Sequence, residues 1–246
     1  MANSEGSSAR RWWRRPWIAP LAALVALFLV FSVPPYLTLD PARSRVPQSE
    51  GFAAHYPLLV AHVVFGSVAM ITCGFQIWPW FRQRHPAAHR MLGRIYVFGG
   101  VLPGGVLGLV IGAVSPFGPV IRVSNVLLAM LWLACTLTGL RMARQRRLVE
   151  HRRWMIRSFA LTMSIVTNRV WAVIATIVLL PQLPTTFAGN ERLMVQTIAG
   201  LSGWLGWVTT LLFAEWWLER GLTSPRIARP PRPASGRGRG RAVEAH

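Results

Sequence analysis

Lysine is absent from this sequence, and acidic side chains are scarce. All 27 basic residues are arginine, against 8 aspartates and glutamates, for a net charge of +19. Only 14% of the 246 residues are charged while 52% are hydrophobic, which leaves too little polar surface to cover a soluble domain of this length. The two cysteines, Cys73 and Cys135, fall inside apolar runs without framework spacing. That excludes a disulfide scaffold and a thiolate zinc site and leaves both as small packing residues. A carboxylate pair, a nucleophile elbow and a glycine-rich phosphate loop are also missing, so no hydrolase motif is present.

The sequence is rich instead in long apolar runs. A hydrocarbon core ~30 Å thick needs about 20 mainly apolar helical residues. Six stretches meet that length: 17–36, 56–80, 92–114, 120–140, 154–180 and 193–217. The expected fold is therefore all-α, a polytopic membrane bundle of about six helices. It comprises a basic N-terminal tail (1–16), a transmembrane domain (17–217) and an Arg/Pro/Gly-rich tail (218–246). The first run follows a basic cluster as a signal peptide would, but Phe31-Ser32-Val33-Pro34-Pro35-Tyr36 is a poor cleavage site. An uncleaved anchor is expected.

Short basic loops stay in the cytoplasm. The segments 10–15, 82–94, 141–157 and 220–241 hold 22 of the 27 arginines, and all fall on one side if the N-terminus is inside. This predicts a cell (inner) membrane location with both termini cytoplasmic. The same distribution turns a basic chain away from nucleic acid, because the charge flanks spans and does not form one binding face. The Gly-Arg repeats of 235–241 are expected to lie on anionic lipid.

Within the spans, Gly100, Gly104, Gly108 and Gly112 recur every fourth residue. Such a ridge lets another backbone approach, either in the same chain or in an oligomer. His62, Gly66, Ala69, Cys73 and Gln76 form a stripe on the second span, and Ser158, Thr162, Arg169, Ala172 and Thr176 one on the fifth. Spans two to five are expected to make a four-helix core, with the first and sixth more peripheral.

Two segments read alike: His89-Arg90-x-x-Gly93-Arg94-x-Tyr96 before the third span, and His151-Arg152-x-Trp154-Met155-x-Arg157 before the fifth. Arginines at helix starts favour an anion, such as a lipid phosphate, a carboxylate or haem propionates. Ordinary anchoring of helix ends to headgroups is the competing role. His89 and His151 are candidate ligands of a haem iron at the cytoplasmic edge. Arg169 lies ~16 Å into its span by helical rise, where charge is costly and either paired or functional, and no carboxylate stands at that depth. His62, ~8 Å from the outer end of its span, is a packing residue or a ligand.

These residues resemble the pattern of a bacterial family of uncharacterised multi-pass membrane proteins (domain of unknown function family 2306). His62, Gly66 and Gln76 fit its first core helix. The two His-Arg segments, Trp132 and Arg169 fit the remainder, over a core of about 56–180. The resemblance implies the architecture and the choice of residues, and no reaction.

Three functions remain open on this reading. One is a redox protein binding haem b or a quinone through His62, His89, His151 and the arginines Arg90, Arg94, Arg152, Arg157 and Arg169. Another is a transporter or lipid-handling protein with Arg169 as an intramembrane site for a small anion. The third is a non-catalytic membrane subunit.

Overall fold

The computed structural model describes residues 17–223, the last three by backbone alone. The expected N-terminal tail, 1–16, and residues 224–246 of the expected C-terminal tail lie outside the described residues, while 218–223 of that tail continue the last helix. Every regular element among the described residues is helical, because a chain in hydrocarbon must satisfy its backbone polar groups within each segment.

The elements are α1 (Ile18–Ser32), α2 (Pro34–Leu37), α3 (His55–Ile77), α4 (Pro79–Arg84), α5 (Pro86–Tyr96), α6 (Leu102–Ala113), α7 (Pro119–Arg144), α8 (Leu148–Leu179) and α9 (Glu191–Thr223). Prolines set most of the starts. Pro34, Pro79, Pro86 and Pro119 sit in the first turn of their helices, where a missing N–H is harmless. Five helical segments are long and apolar enough to cross a membrane. The first expected span is shorter than that. Pro34 and Pro35 end α1 after 15 residues, about 22 Å of helix, and only α1 and α2 together approach a full crossing.

The third span runs without a break from α5 into α6 through a π-helical turn, Val97–Val101. Pro103 follows immediately. Its ring crowds the carbonyl four residues back and donates nothing to it, and a wider turn just upstream absorbs that mismatch. The helix thus accommodates Pro103 through a π-turn.

The bundle is apolar outside and polar within. Leu27 and Ile177 are each 69% exposed, while Ser124, Thr136 and Ser158 are fully buried. Lipid does not drive apolar faces together, so close packing and interhelical hydrogen bonds hold such bundles. Spans two to five form the core: α3 packs on α5 and α6, α6 on α7, and α7 on α8. The sixth span is not peripheral to them. α9 runs along α8 and touches α7 as well, and its Trp207 belongs to the main core cluster. Gly206 is the cause, since a Cβ there would meet the backbone of Asn168 within about 3 Å. Only α1 keeps a light hold, chiefly on α3.

The glycine ridge lies against the chain itself. A Cβ at Gly100 would meet the Ala69 backbone at 2.9 Å, Gly104 faces Phe65 and Gly66, Gly108 faces the His62 ring, and Gly112 faces Asn125. The ridge joins α6 to α3 and α7.

Candidate functional site

A cavity of about 500 Å³ occupies the half of the bundle away from the two His-Arg segments. All six expected spans contribute to its wall. It runs from Ile121 down to Trp132 on α7, and from Ala172 down to Leu161 on α8, a depth of about 16 Å at 1.5 Å per residue. Its volume lies within the range of small-molecule sites.

Polarity changes along this depth. Arg45, Arg169, Asn125, Asn168, His55 and Tyr36 line the outer part. Met70, Leu128, Ala129, Trp132 and Leu161 line the inner part. Among the described residues no aspartate or glutamate is in the wall. Arg169 is exposed, not packed into protein, and it makes no hydrogen bond or ion pair with a described residue; it interacts electrostatically with Tyr36 and Arg45. The side-chain amides of Asn125 and Asn168 likewise have no hydrogen-bond partner among the described residues. His55 is 2% exposed, and its Nδ1 is buried without a partner. Arg45 stacks over Phe31 of α1, 3.6 Å from the ring centre, which ties the loop after α2 to the light first helix.

His62 also lines the cavity. Its Nδ1 lies 2.8 Å from the Gly104 carbonyl. A carbonyl only accepts, so Nδ1 carries the proton and Nε2 of the neutral ring holds a lone pair. His62 therefore has a packing partner and keeps one free nitrogen.

A hydroxyl network floors the cavity. The Tyr96 hydroxyl lies 2.6 Å from Ser158 Oγ and 2.8 Å from Thr162 Oγ1. The Trp132 indole donates to Thr162 Oγ1 at 2.9 Å, and Thr136 meets Ser158 at 2.7 Å. Three helical segments meet here, each buried hydroxyl with a partner. Trp132 and Thr162 face both the cavity and the network.

The His-Arg segments sit beyond this floor, at the other end. His89 and His151 are each the fourth residue of their helices, α5 and α8, and they interact electrostatically with one another. His151 Nδ1 donates to the Gly139 carbonyl at 2.8 Å, which again leaves Nε2 unprotonated in the neutral ring. His89 Nδ1 is buried without a partner. Arg90, Arg94 and Arg152 are exposed. Arg157 donates through Nε and one terminal nitrogen to the Glu215 carboxylate on α9, the second bond at 2.8 Å. That pair engages one edge of its guanidinium.

The eight residues proposed from sequence therefore do not form one site. His62 and Arg169 line the cavity, and the other six stand at the opposite end. Several motif residues hold hairpins together. Gln76 donates to the His89 carbonyl at 3.0 Å and lies against Gly93, while Tyr96 and Trp132 meet in the network. His55 was not singled out from sequence, since a histidine at a span edge looks like any interfacial residue. Its burial depends on how the loop folds back over it. Among the described residues no group of three or more His, Cys, Asp or Glu side chains is placed to hold a metal ion.

Residues 59–218 match the family model described as "Predicted membrane protein (DUF2306)". No curated protein and no solved structure matches the chain.

Proposed function

Because the chain belongs to this family of membrane proteins, we propose that it binds an anion in its central cavity, as a lipid-handling or transport protein of the inner membrane. One observation carries the proposal: Arg169 reaches a cavity that has no carboxylate in its wall. A guanidinium stays protonated under ordinary conditions, so its charge needs a counter-charge or solvent. Exposure of an arginine to lipid would be disfavoured by at least ~2.5–3.5 kcal/mol on insertion scales. A bound anion removes that penalty and uses the planar fork. The arginine distribution supports a cytoplasmic His-Arg end, which turns the cavity mouth to the outer side.

The test is retention. Protein purified in a neutral detergent should carry an anionic small molecule, identified by extraction and mass spectrometry. Arg169→Leu should fold, insert and lose it. Arg169→Lys should recover little, because lysine lacks the fork. Equal recovery of the same species from wild type and Arg169→Leu would overturn the reading.

A redox role at the other end has a specific observation in its favour. His151 holds the tautomer that iron ligation requires, with its outer N–H on a carbonyl, and His89 close by has an unpartnered buried nitrogen. A haem b bound there would give the purified protein a Soret band that shifts on reduction and disappears in His151→Ala. A colourless preparation from haem-replete cells rules haem out. Quinone binding at the same residues would appear as co-extracted quinone lost in the same variant.

A further inference from the structure

We infer that the cavity takes a single-chain amphipathic acid, with its anionic head at Arg169 and its chain pointing down to Trp132 and Leu161. This rests on the anion reading above and adds the class of ligand and its direction.

The wall is graded. At the outer end Arg169 has Asn168 beside it in sequence, and Arg45 approaches from the loop. Arg169 and Asn168 have no hydrogen-bond partner among the described residues. His55 adds a nitrogen that is buried and unpartnered, in a side chain 2% exposed. The buried His55 nitrogen wants a partner and the two guanidiniums want an anion, so this end calls for an oxygen-rich anionic group. An inorganic anion would fill only this end. The remaining depth is lined mainly by Met70, Leu128, Ala129, Trp132 and Leu161, with His62 at the level of Ala129 as its chief polar side chain, a mostly apolar surface that hydrocarbon fills better than water.

The floor limits the chain. Trp132 and Thr162 close the cavity by bonding to each other, and their polar atoms are used. Nothing on the floor asks for a second polar group, so the inner end of the ligand is apolar. A head with one net charge or two suits Arg169 and Arg45, and carboxylate and phosphate monoester share the chemistry required. The wall on the α1 side is the lightest. Phe28, Leu29, Phe31 and Ser32 line the cavity, while α1 packs chiefly on α3. A ligand already dissolved in the membrane therefore has a short sideways path past α1.

Photo-crosslinking of the full-length protein in neutral-lipid nanodiscs tests this. Two probes are used, dodecanoate and dodecyl phosphate, each with a diazirine at the terminal carbon or next to the head. The terminal diazirine should label peptides holding Met70, Leu128–Trp132 or Leu161. The head-proximal one should label those holding Asn168 or Ser202. Unlabelled dodecanoate or dodecyl phosphate should compete, whereas inorganic phosphate and dodecanol should not. Stronger competition by one of the two amphiphiles tells carboxylate from phosphate. Arg169→Leu should lower both labels about tenfold, and Ala129→Leu, which narrows the depth, should lower the terminal label alone.

Reversed labelling, or labelling confined to the lipid-facing residues Val173 and Ile177, overturns the inference. Competition by inorganic phosphate equal to that by dodecyl phosphate also overturns it but leaves the anion reading standing. Labelling that Arg169→Leu does not change, with no competition by any anion, removes both.

Discussion

Arg157 and Glu215 join α8 to α9 by two charge-assisted hydrogen bonds, with the guanidinium 4.8 Å above the Trp154 ring. The pair is only partly shielded, the arginine side chain being 19% and the glutamate 38% exposed, so its worth lies below that of a sealed pair. Arg157→Leu should lower unfolding stability by about 1.5–3 kcal/mol, read by thermal unfolding in detergent. Arg157→Leu with Glu215→Leu should lose less than the sum of the two single changes, since neither leaves a partner charge stranded. Strict additivity would show that the two side chains do not interact. Tyr96 joins two elements through this network, being 1% exposed and bonded to two hydroxyls of α8. Tyr96→Phe should cost about 1–3 kcal/mol, because it leaves Ser158 and Thr162 short of a partner in a dry interior. A change below 0.5 kcal/mol in the same assay would mean that the hydroxyls re-pair among themselves.

Two glycines show why a motif of small residues has to be read against its neighbour helix. Gly100 lies where α3 and the π-turn touch, and a Cβ there would lie 2.9 Å from backbone atoms of Ala69. Backbone does not swing aside as a flexible side chain does. Gly100→Ala should therefore destabilise the bundle by about 1–3 kcal/mol. Gly66, on α3, lines the cavity, and nothing lies within 4 Å of the position its Cβ would take. Gly66→Ala should keep or raise stability, by up to ~1 kcal/mol from helix propensity. Thermal unfolding of the two variants side by side decides it: equal losses would mean that α3 and α6 are not in the register described. The contrast also separates elements by task, since α6 binds its neighbours through glycine while α1 stays loosely held.

For the molecule as a whole, the two ends of the bundle are of opposite character. One end carries the His-Arg segments and the ends of the long helices. The other carries the cavity mouth and the loop with Arg45. The arginine distribution predicts that the first faces the cytoplasm. Reporter fusions at Glu50 and beyond Glu219 should therefore report opposite sides, with Glu50 outside. Identical signals from the two fusions would remove the six-crossing topology, and with it the outward-facing mouth. Both fusion points follow α1, whose 15 residues fall short of the ~20 that a hydrocarbon core requires, so its crossing is read by a third reporter at the N-terminus, expected inside.

Hydropathy is a property of a stretch of chain, and so the sequence by itself determined the membrane setting, the helices and nearly all of their approximate positions. The stripe on α3 pointed inward as expected, with Ala69 and Cys73 sealed and Gly66 at the cavity; the stripe on α8 did so only in part, since Ser158 and Thr162 are buried while Thr176 is exposed. Which inward residues meet which others is a matter of helix rotation and order in the bundle, and no segment records that about its neighbours. Hence only the tertiary structure decided that α9 belongs to the core, that Arg157 is matched by a glutamate 58 positions later, and that Tyr96 and Trp132 share a threonine. It also separated Arg169 from the histidines of the motif. Arg169 lies on the same helix as His151 but 18 residues further along, about 27 Å at helical rise. One straight helix thus carries the two to opposite ends of the bundle, with the Tyr96 network between them.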